Sequence, residues 1–467
     1  MAPRSGPVPR WSGALRVLLA AGCALCGAGA AQAEVKVLSD EPIPYKGDAL
    51  PARARPLFEI GPALLGTGPL DPGIELPTGA VWQPALWVFG DYRTAVDIYR
   101  NGDAAEVQEW ANRLDLFANL RLSGTERVLV GFSPLRDGSR FSGYHRSPES
   151  RRGFDDEFGG EPTALFFEGE LGEIFPDADP FDAGGLDLGF TVGRQQLLFQ
   201  EGLLINDTVD AVAVTRDTII TRGLSVDTRL TGLYGWGNIH RSDNQRDDEA
   251  QLFGVFSETD LSESTVAIDA IYVTGGNNAG AGTDGLFLGV GSTQRFGKLN
   301  TAFRAAQSIA LDDGSAAVDT GTLAMVELSG DPLGNDDVLY VNGAWAAGRF
   351  TSAARDPTAG GPLGPVGILF ASAGLGDYGT ALSNRADDVV AGAVGYQMFF
   401  NGERTQVVTE IGGRVATDRS ERDAVAVGLR LQQAIGERYV VQADGFVSRE
   451  EARDIGYGAR TEFLVRF

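Results

Sequence analysis

Thiols, imidazoles and ammonium groups are scarce in this 467-residue chain, and each scarcity removes a class of chemistry. The two cysteines, Cys23 and Cys26, both lie within the first 33 residues. That stretch reads as a secretory signal. Arg4, Arg10 and Arg16 make a positive n-region, Val17 to Gly27 an apolar core, and Ala31-Gln32-Ala33 a small-x-small cleavage site. A lipoprotein signal, lipidated at Cys23 after Gly22, is the rival reading. Cleavage after Ala33 leaves a chain without thiols, which excludes disulfides, thiol catalysis and thiolate metal sites. Only His145 and His240 remain, so a His-rich metal site is excluded, and no metal or other cofactor is expected.

Lysine is confined to Lys36, Lys46 and Lys298, so arginine carries the positive charge. The formal charge is -24, and loss of the three signal arginines takes it to about -27. Such acidity argues against nucleic acid and anionic membrane surfaces as partners. After the signal, no stretch reaches the roughly 20 apolar residues of a membrane helix.

Residues 34–80 carry Pro42, Pro44, Pro51, Pro56, Pro62, Pro69, Pro72 and Pro77. That density breaks helix and sheet, which predicts a periplasmic extension or extended lead-in. From Val81 to the end the pattern has period two. Trp110, Leu114, Leu116, Ala118, Leu120 and Leu122 share one parity, while Arg113, Asp115, Asn119 and Arg121 share the other. Leu230, Tyr234 and Trp236 alternate with Asp227, Arg229 and Thr231, and Val425, Val427, Leu429 and Leu431 with Ala424, Ala426, Gly428, Arg430 and Gln432. These runs of about ten residues recur through 81–467 and predict about 18 strands (16–20). Tight connections near 123–125, 297 and 436 contrast with long polar ones at 136–162, 237–249, 274–284 and 348–388. In the longest, Val366 to Phe370 reads either as a short strand or as a constriction folded inward.

The last segment puts Tyr457, Ala459, Thr461, Phe463, Val465 and Phe467 on one face and Arg460, Glu462 and Arg466 on the other. In hydrocarbon an unpaired backbone group costs several kcal/mol, so a sheet facing lipid must close on itself. The expectation is all-β: a transmembrane antiparallel β-barrel with long external loops, in a bacterial outer membrane. Sixteen to eighteen strands leave an aqueous interior, and the polar parity then lines water. Tyr457, Phe463, Val465 and the terminal Phe467 resemble the assembly signal of outer-membrane barrels. Lipid, lipopolysaccharide and the barrel-assembly machinery are the partners that this location implies.

Leu188-Gly189-Phe190-Thr191-Val192-Gly193-Arg194-Gln195, continuing as Gln196 to Asp207, resembles the strand motif of the alginate-export family of outer-membrane porins. The recognisable part covers about thirty residues, to near Arg216. The resemblance implies an 18-stranded, arginine-lined conduit for an anionic oligosaccharide or small carboxylate. Forked guanidinium donors suit carboxylates because they pair with both oxygens and keep their charge. Candidate pore-lining residues are Arg113, Asp115, Arg121, Arg194, Arg229, Arg430, Arg460 and Glu462. Arg194 shares parity with Phe190 and Val192, so a bulge or strand end must turn it inward. The alternative is that the arginines form structural ladders with Asp115, Asp227, Glu410 and Glu462.

Trp82, Trp87, Trp110, Trp236 and Trp345 are candidates for interfacial girdles. Asp247-Asp248, Asp312-Asp313, Asp336-Asp337 and Asp387-Asp388 read as solvated loop charge, with Ca²⁺ or Mg²⁺ binding as the sharper alternative. His240 lies near Ser242 and Asp243, but a catalytic triad is defined by geometry rather than proximity in sequence, so no enzyme is expected. A barrel enclosing a partner protein is the second functional class, because a Pro-rich extension is easily recognised.

Overall fold

A computed structural model describes residues 54–61, 72–178, 185–223, 225–275, 283–312, 317–332, 334, 336–418 and 422–467. The expected signal segment and both cysteines lie outside them. Eighteen strands form the wall. The first six are β1 Ala85–Arg100, β2 Val107–Arg121, β3 Arg127–Phe132, β4 Pro162–Glu170, β5 Gly189–Phe199 and β6 Ile205–Arg216. Then come β7 Asp227–Gly237, β8 Gln251–Asp260, β9 Ser264–Thr274, β10 Gly285–Phe296, β11 Leu299–Ala310 and β12 Gly321–Gly330. The last are β13 Val338–Arg349, β14 Asp387–Phe400, β15 Thr405–Ala416, β16 Ala424–Ile435, β17 Tyr439–Glu450 and β18 Ile455–Arg466. Each pairs antiparallel with the next, and β18 pairs with β1 from Tyr457↔Arg100 to Arg466↔Asp91. The sheet is a closed barrel. No helix among the described residues is long and apolar enough to cross a membrane.

Alternation explains why these segments form a two-faced wall. Val96, Val192, Leu230, Val255, Ile268, Val290, Phe303, Val341, Val427 and Val447 stand exposed on the outside. Their neighbours Asp97, Asp269, Glu410, Arg460 and Glu462 are buried on the inside. A soluble sheet would turn the apolar stripe inward; here it forms a continuous outer band of the kind that meets hydrocarbon. Closure pairs every strand edge within the wall, which a lipid-facing sheet requires. Trp110, Trp236 and Trp345 lie on the outer face, each toward the strand end farther from the start of β1. Trp87 instead is buried inside, where Arg121 sits over its ring at 5.2 Å.

The two ends of the barrel differ. The start of β1 and the end of β18 lie at one end, the terminal end, together with the tight connections 261–263, 297–298, 401–404 and 436–438. The opposite end carries 133–161, 238–250, 275–284 and the longest connection, 350–386. The rhythm has exceptions, since 171–188 is long at the terminal end and 200–204 short at the other. Within the Pro-rich lead-in, Phe58–Ile60 adds a short strand beside Leu86–Val88 of β1. It continues the pairing of β1 beyond the end of β18. At that junction Phe467 exchanges backbone hydrogen bonds with Gly90, at 2.7 and 3.0 Å.

Candidate functional site

Connection 350–386 folds into the barrel instead of projecting from it, the constriction alternative of the sequence reading. Its first part crosses to β6: Ala354–Arg355 pairs in parallel with Ile205–Asn206, and Ser352 Oγ donates to Leu203 O at 2.7 Å. Arg355 donates to Gly360 O (3.2 Å) and also to Gly202 O. Burial brings its pKa down to about 10, with the charge of Asp207 acting the other way. Arg136, from connection 133–161, holds Asp356 at 2.7 Å. Burial alone would raise the Asp356 pKa, but Arg136 and Thr358 outweigh it and hold the carboxyl below its usual range.

The middle of the connection is tied to the opposite wall. Glu410 on β15 accepts the N–H groups of Ile368 and Leu369, both at 2.9 Å, and the hydroxyl of Tyr340. Leu369 lies against β16 so closely that a Cβ at Gly428 would stand 2.7 Å from its Cδ2. Glycine there lets the loop touch the wall. The last part runs under β1 and β2, where Arg93 donates to Ala373 O (2.9 Å) and Arg113 to Gly374 O (3.2 Å). A second obstruction comes from the β5–β6 tip: Gln200 reaches Asp269 on β9 (2.9 Å), and Phe199 stacks on Phe256 of β8. The lumen is therefore narrowed by two chain segments of different origin.

Charged side chains line the inner wall beside this constriction. Strand register sets Arg430, Asp444, Arg460, Asp97 and Glu109 in one row across β16, β17, β18, β1 and β2. Arg430 Nε lies 2.6 Å from Asp444, Arg113 Nε 2.6 Å from Asp115, and Arg93 Nε 2.6 Å from Glu462. In each pair the arginine is the more accessible member: 27% against 11%, 22% against 8%, and 22% against 7%. The carboxylates are the more deeply buried members, and the guanidinium groups of Arg93 and Arg113 reach the inward-folded connection.

The expected site residues divide. Arg113, Asp115, Arg430, Arg460 and Glu462 converge on this inner sector, but Arg460 is 1% accessible, between Glu462 and Asp444 and beneath the ring of Tyr378. Arg121 and Arg229 face inward nearer the terminal end, Arg229 at 2.5 Å from Asp217. Arg194 does not join them. The β5–β6 register runs unbroken from Gly189 to Phe199, so no bulge turns it, and it stays on the outer parity of exposed Val192 and Leu198. There it forms a bidentate pair with Asp210, 2.8 Å at both oxygens. Arg93, Asp444, Asp97 and Glu109 were not singled out from the sequence. The alternation of Asp91, Arg93 and Asp97 with Tyr92, Val96 and Ile98 carries the signal for the first strand.

His240 and Ser242 do not build a triad. The His240 ring meets Asp207 at 2.9 Å, whereas Ser242 Oγ donates to Ala317 O at 2.8 Å. Several of the acidic doublets have structural partners: Asp248 pairs with Arg246, Asp337 accepts from Tyr396 and Phe399, and Asp388 accepts from Gly348 N–H. In the closing strand Tyr457, Phe463 and Val465 share the outer parity.

A closed 18-strand wall with an inward-folded external connection can be compared with solved proteins. OccK2 of Pseudomonas aeruginosa superposes with a TM-score of 0.53 over 81% of this chain and 97% of its own, at 11% identity. A BenF-like porin of Pseudomonas fluorescens Pf-5 gives 0.57 over 82% and 98%, at 10% identity. This chain has the fold of the outer-membrane porins. The structure of Pseudomonas aeruginosa OpdK with vanillate is a further match, with TM-score 0.51, 13% identity and coverage of 81% and 98%. Comparison with protein families and with curated proteins finds no match.

Proposed function

We propose that this chain is a passive outer-membrane channel for small anionic solutes, of the carboxylate or uronate-sugar type. One observation carries the reading: on the inner wall the guanidinium groups of Arg93, Arg113 and Arg430 are more accessible than the carboxylates beneath them. An ion pair so oriented presents its positive member to whatever passes. Two of these arginines donate to backbone carbonyls of the constricting loop, which holds their guanidinium groups at the narrow section. Carboxylate recognition uses the forked donor geometry of guanidinium. The structurally similar OpdK was solved with vanillate, which is itself a carboxylate. The acidic total charge of the chain does not oppose the reading, because selectivity follows the charge at the narrow section rather than the sum over the protein.

The outer location follows from the same argument: an exposed apolar band and a closed wall suit lipid, and the closing strand serves as the assembly signal. Uptake by proteoliposomes tests the transport reading. Vesicles holding the refolded protein are expected to admit glucuronate and vanillate faster than size-matched neutral sugars. Equal rates for acid and neutral solutes would remove the anion preference, and uptake no faster than in empty vesicles would remove the channel.

A further inference from the structure

The charged row of the inner wall ends in a different arrangement from the one with which it begins. Arg430, Asp444 and Arg460 alternate in sign, but Asp97 and Glu109 then stand side by side on β1 and β2. The external strand Arg140–Ser147 continues the sheet beyond β2 and places His145 directly opposite Glu109. Three consecutive register partners are thus Asp97, Glu109 and His145, with side chains 4%, 6% and 6% accessible as residues. Register partners hold their Cβ atoms about 4.5–5.5 Å apart, so the three heads are neighbours. Asp377, from the inward-folded connection, completes the group and donates its backbone N–H to Glu109.

Two features of the group point to a ligand rather than to an ion-pair network. Both carboxylate oxygens of Asp97 are buried without a hydrogen-bond partner, while its neighbour Arg460 directs Nη1 and Nη2 at Asp444 and Glu462 and leaves Nε unpartnered. The second feature is the imidazole. His145 Nε2 lies 3.0 Å from Asp155 and 3.3 Å from Arg151 Nη2. Nδ1 is buried without a hydrogen-bond partner, 3.4 Å from Glu109 Oε2. A cation fits between these two atoms: with metal–ligand bonds of about 2.0–2.1 Å, adjacent corners of a tetrahedron are about 3.4 Å apart. The contact from Asp155 to the far ring nitrogen is the outer-shell support that metal-bound imidazoles usually have.

We propose that Glu109, His145 and Asp377, with Asp97 behind them, bind a divalent transition-metal cation of the zinc class. One ligand atom from each of the first three lies within 4.8 Å of the others. Imidazole nitrogen together with carboxylate oxygen suits Zn²⁺ better than Mg²⁺ or Ca²⁺, which favour all-oxygen shells. Arg151, which bonds Asp377 and stands 3.3 Å from His145 Nε2, is half exposed; the cation-bound form requires it to give up both contacts, with the Nε2 proton then facing Asp155. From the sequence no metal site was expected, because two histidines cannot make a His-rich one. This group needs only one.

The cation would join three separate parts of the fold: the β1–β2 wall, the external strand Arg140–Ser147 and the constricting connection. Asp377 is three residues from Gly374 and four from Ala373, whose carbonyls meet Arg113 and Arg93. Binding at Asp377 therefore pins the end of the constriction that lies against these two arginines. External divalent cation becomes a means of setting the width of the channel.

Calorimetry of the refolded, chelator-treated protein with Zn²⁺, and with Mg²⁺ as control, tests the binding without reference to transport. One Zn²⁺ per chain is expected, at least tenfold tighter than Mg²⁺, with at least tenfold loss in His145→Ala and a smaller loss in the isosteric Asp97→Asn. Heat-modifiable electrophoretic mobility establishes that each variant is folded. No stoichiometric Zn²⁺ in the wild type, equal affinity for Mg²⁺, or binding unaffected in folded His145→Ala or Asp97→Asn would each overturn the site. Single-channel recording then reads the consequence. If Zn²⁺ binds yet leaves wild-type conductance unaltered, the pinning of the constriction is wrong although the site stands.

Discussion

Arg93 on β1 and Glu462 on β18 meet across the closing seam of the barrel, Nε at 2.6 Å and Nη2 at 3.0 Å. The same carboxylate also accepts from Arg460, so one buried acid serves two arginines from two strands. Removing it leaves Arg93 without its carboxylate and Arg460, 1% accessible, with only Asp444 at 3.6 Å. Breaking a buried pair in this way costs about 3–5 kcal/mol. Glu462→Gln is therefore expected to lower the urea midpoint of the refolded barrel far more than Arg93→Gln. Equal midpoints for the two variants would mean that Glu462 is not shared.

Glu410 is the principal anchor of the constriction to the far wall. Hydrogen bonds to charged groups contribute about 1.5–3 kcal/mol each, so the two backbone N–H contacts together hold the loop by about 3–6 kcal/mol. In Glu410→Ala the segment around Ile368 and Leu369 is expected to detach. The measurement is single-channel conductance, which should rise and become noisier, while Glu410→Gln, which keeps one acceptor oxygen of the two, falls between it and wild type. Unaltered conductance in Glu410→Ala would place the narrow section elsewhere.

The two faces of a strand give a sharp contrast. Val290 lies on the outer parity at the middle of β10, and Arg430 on the inner parity of β16. An arginine on the lipid face near the bilayer midplane costs about 2–4 kcal/mol. Val290→Arg should reduce folding yield into lipid vesicles by that margin, whereas Arg430→Gln should fold normally. The opposite ranking would mean that the register is slipped by one residue.

Much of this wall is legible in the sequence because lipid and water impose a period of two on every strand. The eighteen segments, their parity and the inward face of Arg113, Arg430 and Glu462 all follow from counting. The inward fold of 350–386 does not. Its anchors are single contacts with strands distant in sequence, such as Glu410 with Leu369, and a Gly/Pro-rich connection has no period to betray them. Arg194 shows the other limit. Its parity points outward, and the likeness of its surroundings to a porin motif favoured the lumen; the unbroken β5–β6 register decides for parity.

His240 lies in the external connection between β7 and β8 and provides a pH test. Burial works against its charge, but the hydrogen bond and charge of Asp207 prevail and raise its pKa above the ordinary value. A raised pKa means that the pair stabilises the fold fully below about pH 6.5 and progressively less as pH rises through the folded value. The His240 amide, which donates to Asp207 at 2.7 Å, reports this directly. Its protection from hydrogen exchange, corrected for intrinsic rate, should fall as pH rises above about 6.5 and through the raised pKa, and Asp207→Asn should abolish the trend. Constant protection in the wild type would deny the charged pair.

The central claim is that the partly accessible guanidinium groups of Arg93, Arg113 and Arg430 set the charge preference of the narrow section. Reversal potential in a planar bilayer under a salt gradient measures that preference for the refolded protein. The expected result is anion selectivity, weakened in Arg93→Gln/Arg113→Gln/Arg430→Gln, with conductance blocked by uronate oligomers in the wild type. A clear cation preference in the wild-type channel would contradict the account.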